Sequence, residues 1–179
     1  MTAFRRAFKV LAVGWLALLP IAPLLLRRPE WASSSFGHAV ADLVYRVGSL
    51  VCHQRPERSF QLLGAALPVC ARCTGVYVGA ALASIGISCR DAVRRHSAGA
   101  RPSARSGRRE LAPTQTPDAA RTVLLWAMLP TAATLVFEWS TGGMPAHWIR
   151  ALSGAPLGAA VAWIVGATRA LGRRTDVIH

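Results

Sequence analysis

Four long apolar segments divide the sequence, and each is long enough to cross a lipid bilayer. They run over Val10–Leu26, Val69–Cys89, Thr122–Ser140 and Trp148–Leu171. A helix needs roughly 20 apolar residues to span the hydrocarbon core, and prolines inside such helices are tolerated when neighbouring groups satisfy the backbone. The pattern therefore predicts an all-α fold, built as a bundle of four transmembrane helices in a multi-pass membrane protein.

A fifth segment, between the first and second apolar segments, has an amphipathic pattern. Its apolar positions recur at helical spacing, and polar residues occupy the opposite face. These apolar positions are Phe36, Val40, Leu43, Val44, Val47, Leu50 and Val51. The pattern predicts a helix that lies at the membrane surface or packs over the bundle. The apolar stretch Phe60–Leu67 is too short to cross the membrane, so we expect it to dip into the interface and return.

The basic residues predict the orientation of the bundle. The chain has 21 Lys and Arg residues against 8 acidic ones, and 20 of the 21 are arginine. Fourteen basic residues lie before the first span, between the second and third, or after the fourth, whereas seven lie on the other side. Because cytoplasmic loops carry the excess of Lys and Arg, both termini are expected in the cytoplasm, and the predicted location is a bacterial plasma (inner) membrane.

Composition narrows the partner classes. A net charge of +13 is compatible with nucleic-acid binding, but here the charge is clumped between apolar segments, so no nucleic-acid partner is expected. Hydrophobic residues make up 53% of the chain, which excludes overall disorder. The lipid bilayer is the predicted partner, with anionic lipid as a further candidate, and the sequence leaves the oligomeric state open.

The spans and loops predict five regions. Residues 1–28 form the first transmembrane helix, 29–68 an outer loop with the amphipathic helix, and 69–90 the second transmembrane helix. Residues 91–121 form a basic, disordered cytosolic linker, and 122–179 contain the last two transmembrane helices and a basic tail. The first span is read as an uncleaved anchor rather than a signal peptide, because no small-x-small cleavage site follows it.

Three of the four cysteines are predicted to lie on the outer side. Cys52 closes the amphipathic segment, and Cys70 and Cys73 open the second transmembrane helix. Residues at i and i+3 share a helix face, and the positive end of the helix dipole favours thiolates there. Arg72, between the two cysteines, acts in the same direction. This arrangement predicts either metal binding or thiol chemistry.

Three interpretations of the cysteines remain open. Three thiolates and one imidazole form a standard tetrahedral zinc set, so Zn²⁺ is the favoured cofactor, with Cys52, His53, Cys70 and Cys73 as ligands; His147 or Glu138 could replace His53. In the second interpretation, Cys70 and Cys73 are the catalytic pair of a membrane thiol-disulfide oxidoreductase. The third is a plain disulfide that pins the outer loop.

A group of ionisable side chains is also predicted at the outer interface. Its members are Arg55, Arg58, Arg72, Tyr77, Glu138 and Arg150. Arginines at this level could bind or transfer an anionic lipid headgroup, because the guanidinium group matches phosphate geometry. Mutual neutralisation is favoured, with Glu138 paired to Arg150 or Arg72, since charges within membranes generally pair with one another.

Two G-x-x-x-G motifs predict close helix packing. Gly75 and Gly79 lie on the second transmembrane helix, and Gly154 and Gly158 lie on the fourth. Small residues at this spacing let two helices approach closely, so we expect packing seams inside the bundle. The fourth cysteine, Cys89, is predicted to be a small buried hydrophobe.

The strings CHQRPERSF and PVCARCTGVYVG resemble a bacterial and archaeal membrane-protein family catalogued as domain of unknown function number 2085. The resemblance extends from about Cys52 to Gly166. The matching positions are Cys52, His53, Gln54, Pro56, Arg58, Ser59 and Phe60, then Cys70, Arg72, Cys73, Gly75, Tyr77 and Gly79, then Glu138, Arg150, Ser153, Gly154 and Gly158. His147 stands where the family more often has Asn, which argues against a shared ligand role. The resemblance implies a polytopic membrane protein and brings no activity, substrate or partner.

Overall fold

The computed structural model describes residues 2–27, 35–99 and 117–167 of the chain, and these residues are mainly helical. The helices are α1 (Thr2–Arg27), α2 (Ser35–Val51), α3 (Ala71–Gly99), α4 (Pro117–Thr141) and α5 (His147–Ala167). Between α2 and α3 the chain forms a single 3-10 turn at Pro56–Arg58 and an antiparallel hairpin of β1 (Gln61–Leu62) and β2 (Ala65–Ala66). The predicted all-α class is confirmed.

Four of these helices are long and apolar enough to cross a membrane. The candidate spans are Ala3–Arg27, Ala71–Val93, Asp118–Thr141 and His147–Gly166, with mean hydropathies between 1.3 and 2.0. They overlap the four predicted segments, and their length and composition are those expected of a bundle of four transmembrane helices. Helix α3 begins two residues later than the predicted span and extends ten residues beyond Cys89. Most of the predicted cytosolic linker and the basic C-terminal tail lie outside the described residues.

Helices α3 and α5 pack backbone to backbone along the predicted glycine seams. A Cβ atom added at Gly75 would collide with the carbonyl oxygen of Ala151, and one added at Gly158 would collide with that of Val76. Gly79 and Gly154 also lie against the opposite backbone. The two G-x-x-x-G motifs therefore face each other, which confirms the predicted packing and brings the first turns of α3 and α5 together.

Helix α2 occupies the predicted amphipathic segment and packs on α1 through small residues. Its buried positions are Gly37, Ala41, Val44 and Gly48. Ala41 and Val44 form a small core with Ala22 of α1. The largest apolar side chains of α2 point away from this contact, since Phe36 and Leu50 are 77% and 83% exposed. Helix α2 thus packs against α1 and presents an apolar face outward.

The fourth cysteine corrects one expectation. Cys89 is exposed rather than buried. It lines an open apolar groove between α1 and α3 together with Val10, Val13 and Ile85. The residues that line this groove all belong to α1 and α3, and the groove is open. A small apolar side chain at the end of a transmembrane helix is therefore buried only if a neighbouring element covers it.

Candidate metal centre and its arginine cluster

Three cysteine sulfurs converge where α2 ends and α3 begins. The Sγ atoms of Cys52, Cys70 and Cys73 all lie within 4.8 Å of one another. All three are half-buried free thiols. Cys52 reaches this position by extending the end of α2, because its N–H donates to the carbonyl oxygen of Gly48 at 2.9 Å. The expectation that the loop folds back onto the C-x-x-C pair is confirmed.

Gln54 holds the loop in this folded-back position. Its Nε2 donates to the carbonyl oxygen of Tyr45 at 2.5 Å and to that of Pro68 at 2.7 Å. The first contact ties the residue to α2, and the second ties it to the segment directly before Cys70. Gln54 adopts a left-handed backbone conformation with φ of 48°, which turns its side chain back across the loop. Sequence reasoning did not assign it a role, although it stands in the Cys-His-Gln string.

The close approach of α2 to this loop requires glycine at position 48. A Cβ atom there would collide with the carbonyl oxygen of Pro68 and lie 2.7 Å from Gln54 Nε2. Any larger residue would therefore displace the bridge that Gln54 forms. Gly48 has no side chain that could bind a ligand. The sequence could therefore indicate its importance only through the presence of a small residue on the packed face of the amphipathic helix.

The rest of the outer loop is fixed by hydrogen bonds to its backbone. Arg27 Nη2 donates to the carbonyl oxygen of Gly64 at 2.8 Å, which ties the hairpin to the end of α1. Gly64 and Leu63 both have left-handed φ angles, as a two-residue hairpin turn requires. Ser59 is fully buried, and its hydroxyl donates to the carbonyl oxygen of Arg55. The apolar stretch predicted to dip and return forms this hairpin.

Cys70 occupies the N-cap position of α3, directly before the first helical residue. Its own N–H donates to Cys52 Sγ at 3.2 Å. A hydrogen bond from the Cys73 thiol lowers the pKa of the Cys70 thiol to about 5, and the backbone N–H groups of Cys73 and Arg72 also contribute, while burial opposes them. Unpaired N–H groups at a helix start favour such an acceptor. Cys70 is therefore prepared to act as a thiolate.

The candidate fourth ligands lie outside this sulfur group. Among the described residues, the ligand atoms within 4.8 Å of one another belong to the three cysteines alone. His53 is exposed beside Cys52. The ring of His147 packs on that of Phe60, with 5.7 Å between centroids. The carboxylate of Glu138 forms ion pairs with arginines. The geometry provides three soft ligands for a metal ion, with a fourth position to be filled from outside the group.

Glu138 is the centre of a buried ion-pair cluster. Its Oε1 accepts from Arg72 Nη2 at 2.8 Å and from Arg150 Nε at 3.0 Å, and its Oε2 lies 3.9 Å from Arg58 Nη1. The Glu138 side chain is only 5% exposed. The predicted neutralisation of Glu138 is therefore found with Arg72 and Arg150 together, and Arg58 joins at longer range. Arg72 also donates to Thr134 Oγ1 at 3.2 Å.

This cluster and the sulfurs lie at one end of the bundle, named here the cysteine end: the end at which α3 and α5 begin and α4 ends. Arg72 links the two groups along the chain, because it stands between Cys70 and Cys73 while its side chain reaches Glu138. Tyr77, one turn deeper on α3, contacts Trp15 of α1 edge to face, with 6.1 Å between ring centroids. Arg55 is exposed.

The sequence matches one protein family over the region that carries both groups. Residues 52–164 match the family described as "Predicted membrane protein (DUF2085)". The uncharacterised protein MJ1492 of Methanocaldococcus jannaschii is 47% identical over 47 residues, which are 26% of this chain and 30% of that protein. An uncharacterised protein of Methanothermobacter thermautotrophicus is 57% identical over 30 residues, 17% of this chain and 27% of that protein.

These two matches are local, since the chain spans less than a third of the length of either archaeal relative. No solved structure matches the chain. The family match is broader, because it covers more than half of the chain and runs from Cys52 through the arginine cluster into α5. The chain therefore belongs to the family of predicted membrane proteins DUF2085.

Proposed function

We propose that this protein is an integral membrane protein that binds a zinc ion through Cys52, Cys70 and Cys73. The observation that carries the proposal is the mutual approach of the three sulfur atoms within 4.8 Å. Thiolates bind Zn²⁺ at about 2.3 Å and arrange tetrahedrally around it, which needs sulfurs roughly this close.

We assign the fourth position to His53. His53 is the histidine nearest to Cys52 in the sequence, and its exposed side chain would have to turn toward the sulfurs to bind. Four protein ligands would make a closed structural site that pins the outer loop to α3, whereas three ligands and a water would make an open, reactive site. A His53→Ala variant separates these cases, since only the closed site loses a ligand.

The proposed site faces the outer side of a plasma membrane. Support comes from the sequence, in which fourteen of the basic residues stand before the first span, between the second and third, or after the fourth, and seven stand in the remaining segments, on the side predicted to carry the cysteines. By the positive-inside rule the more basic side stays in the cytoplasm. Labelling an engineered cysteine in the 100–116 segment of intact cells would test this, since a membrane-impermeant reagent should not reach it.

Metal analysis of the full-length protein in detergent tests the zinc assignment. The expected result is about one zinc per chain, with loss of the metal in Cys52→Ser, Cys70→Ser or Cys73→Ser. Cys89→Ser is the matched control, because this cysteine lies in the apolar groove and should leave the zinc content unchanged. A zinc content near zero in the native protein, or zinc that persists in all three of the Cys52, Cys70 and Cys73 variants, would refute the proposal.

A second candidate is thiol-disulfide exchange by Cys70 and Cys73. It is favoured by one observation, the closeness of the Cys70 and Cys73 sulfurs at the start of α3, where the pKa of the Cys70 thiol is also lowered. Oxidation of the pair to a disulfide would release two protons and two electrons, which an external disulfide or a quinone must accept. Thiol alkylation before and after reductant distinguishes the candidates: a redox pair gains two reactive thiols on reduction, whereas a zinc site protects thiols that are already reduced.

A further inference from the structure

The arginine cluster at the cysteine end carries more positive charge than its single carboxylate can balance. Three guanidinium groups, those of Arg58, Arg72 and Arg150, surround the carboxylate of Glu138. The side chains of Arg150 and Glu138 are 3% and 5% exposed and that of Arg72 is 18% exposed, so water screens these charges poorly, whereas Arg58 is 38% exposed. Charges removed from water are stable only when they are paired and hydrogen-bonded. Two of the three positive charges lack a counterpart within the cluster.

Hydrogen-bond donors in the cluster are also left without acceptors. Arg58 Nε, Arg72 Nε and Arg150 Nη2 are buried and have no partner among the described residues. Arg150 is the clearest case, because the whole residue is 2% exposed. Unmet donors on charged, buried groups are costly. Each of the three arginines thus contributes one unused N–H group to the same neighbourhood.

The backbone adds positive potential at the same place. Arg72 lies in the first turn of α3 and Arg150 in the first turn of α5, and the start of a helix carries the positive end of its dipole. Helix α4 meets them with its last turn, in which Glu138 lies, and the negative end of its dipole offsets part of this potential. Arg58 is the most accessible member, with 38% of its side chain exposed, so the cluster can be reached from outside through its 3-10 turn.

We infer that Arg58, Arg72 and Arg150 form a binding site for a phosphate-type oxyanion. A planar guanidinium group presents paired N–H donors that match the oxygens of phosphate, and an anion here would both balance the charge and accept the unused N–H groups. The anion can come from free phosphate or from the headgroup of an anionic lipid. The inference does not depend on zinc, because none of the three side chains is a proposed metal ligand.

Binding of inorganic phosphate to the full-length protein in a neutral detergent is the first arm of the test. The thermal unfolding midpoint is measured against phosphate concentration at constant ionic strength, with chloride as the replaced anion. A saturable rise is expected with phosphate and not with chloride. Arg58→Gln should weaken the apparent affinity about tenfold, the loss of one charged hydrogen-bond partner. This variant leaves the most buried pair, Arg150 and Glu138, intact and should still fold.

The second arm uses vesicles of phosphatidylcholine containing phosphatidic acid and measures the lipid that stays bound after extraction. Retention of phosphatidic acid that Arg58→Gln reduces assigns the site to a lipid headgroup, and the phosphate response alone assigns it to a free anion. Arg46→Gln is the matched control, since Arg46 is exposed on α2 and pairs with Asp42. Phosphate and phosphatidic acid that both fail to bind, or that bind equally to Arg58→Gln and the native protein, would overturn the inference.

Discussion

Substitution of Glu138 tests how much its ion pairs contribute to the stability of the cysteine end. Substitution Glu138→Gln keeps the shape of the side chain, removes its charge and replaces one acceptor oxygen with an NH₂ donor. Both partners at hydrogen-bond distance, Arg72 and Arg150, then face a neutral group, and Arg150 is left charged with its side chain 3% exposed. The substitution therefore breaks a buried ion pair and keeps the packing.

The magnitude follows from burial. Removing one member of a buried ion pair costs about 3–5 kcal/mol, and the retained amide oxygen places Glu138→Gln near the lower end, about 3 kcal/mol. That loss corresponds to roughly a hundredfold shift of the unfolding equilibrium. Reversible unfolding in mixed micelles, followed by circular dichroism, measures it. Glu57→Gln is the matched control because Glu57 is exposed in the 3-10 turn, and its effect should stay within about 0.5 kcal/mol.

A double-mutant cycle tests the geometry behind this estimate. Glu138→Gln is combined in turn with Arg150→Gln and with Arg58→Gln. Coupling should be strong with Arg150, whose Nε lies 3.0 Å from the carboxylate, and within about 1 kcal/mol for Arg58, which is 3.9 Å away and 38% exposed. Equal losses in Glu138→Gln and Glu57→Gln, or stronger coupling to Arg58 than to Arg150, would refute the reasoning.

Two further substitutions test the loop and the helix seam. Gln54→Ala removes two hydrogen bonds worth about 1 kcal/mol each, so zinc should pass to a competing chelator at lower chelator concentration. Gln61→Ala, an exposed residue with one bond to the loop backbone, is its control; equal zinc retention in both variants would contradict the bridging role. Gly158→Ala forces a Cβ against the carbonyl oxygen of Val76 and should destabilise the bundle by about 1–3 kcal/mol. Gly86→Ala meets nothing within 4 Å and should leave unfolding unchanged or slightly improved, so similar losses in both glycine variants would argue against the seam.

The helices could be predicted from the sequence because each is identified by the length and hydropathy of one continuous segment. Length and hydropathy are properties of a segment, so all four spans were recognisable without any knowledge of their neighbours. The glycine motifs also indicate which helices pack together, because only small residues allow α3 and α5 to approach as closely as they do. The start of α3 was less predictable. The apolar pattern placed its first residue at Val69, whereas the first helical residue is Ala71, directly after Cys70.

The candidate site was only partly predictable, because its parts depend on contacts between distant residues. The C-x-x-C spacing and the upstream Cys-His pair were enough to predict that three thiols meet. The contact that brings the three thiols together was not predictable. The bridge formed by Gln54 requires a left-handed backbone at that residue and a glycine, Gly48, on the neighbouring helix α2. Burial of Cys89 was predicted wrongly for a similar reason, since exposure is decided by which neighbours cover a helix face.

The two groups at the cysteine end have complementary charge requirements. The proposed centre of three thiolates and one zinc ion would carry one net negative charge, and the arginine cluster carries two net positive charges around Glu138. Arg72 belongs to both, because its backbone N–H supports the Cys70 sulfur while its side chain binds Glu138. The proposed metal centre would therefore balance only part of the charge of the cluster. The remaining positive charge is the physical reason to expect an anion at Arg58, Arg72 and Arg150.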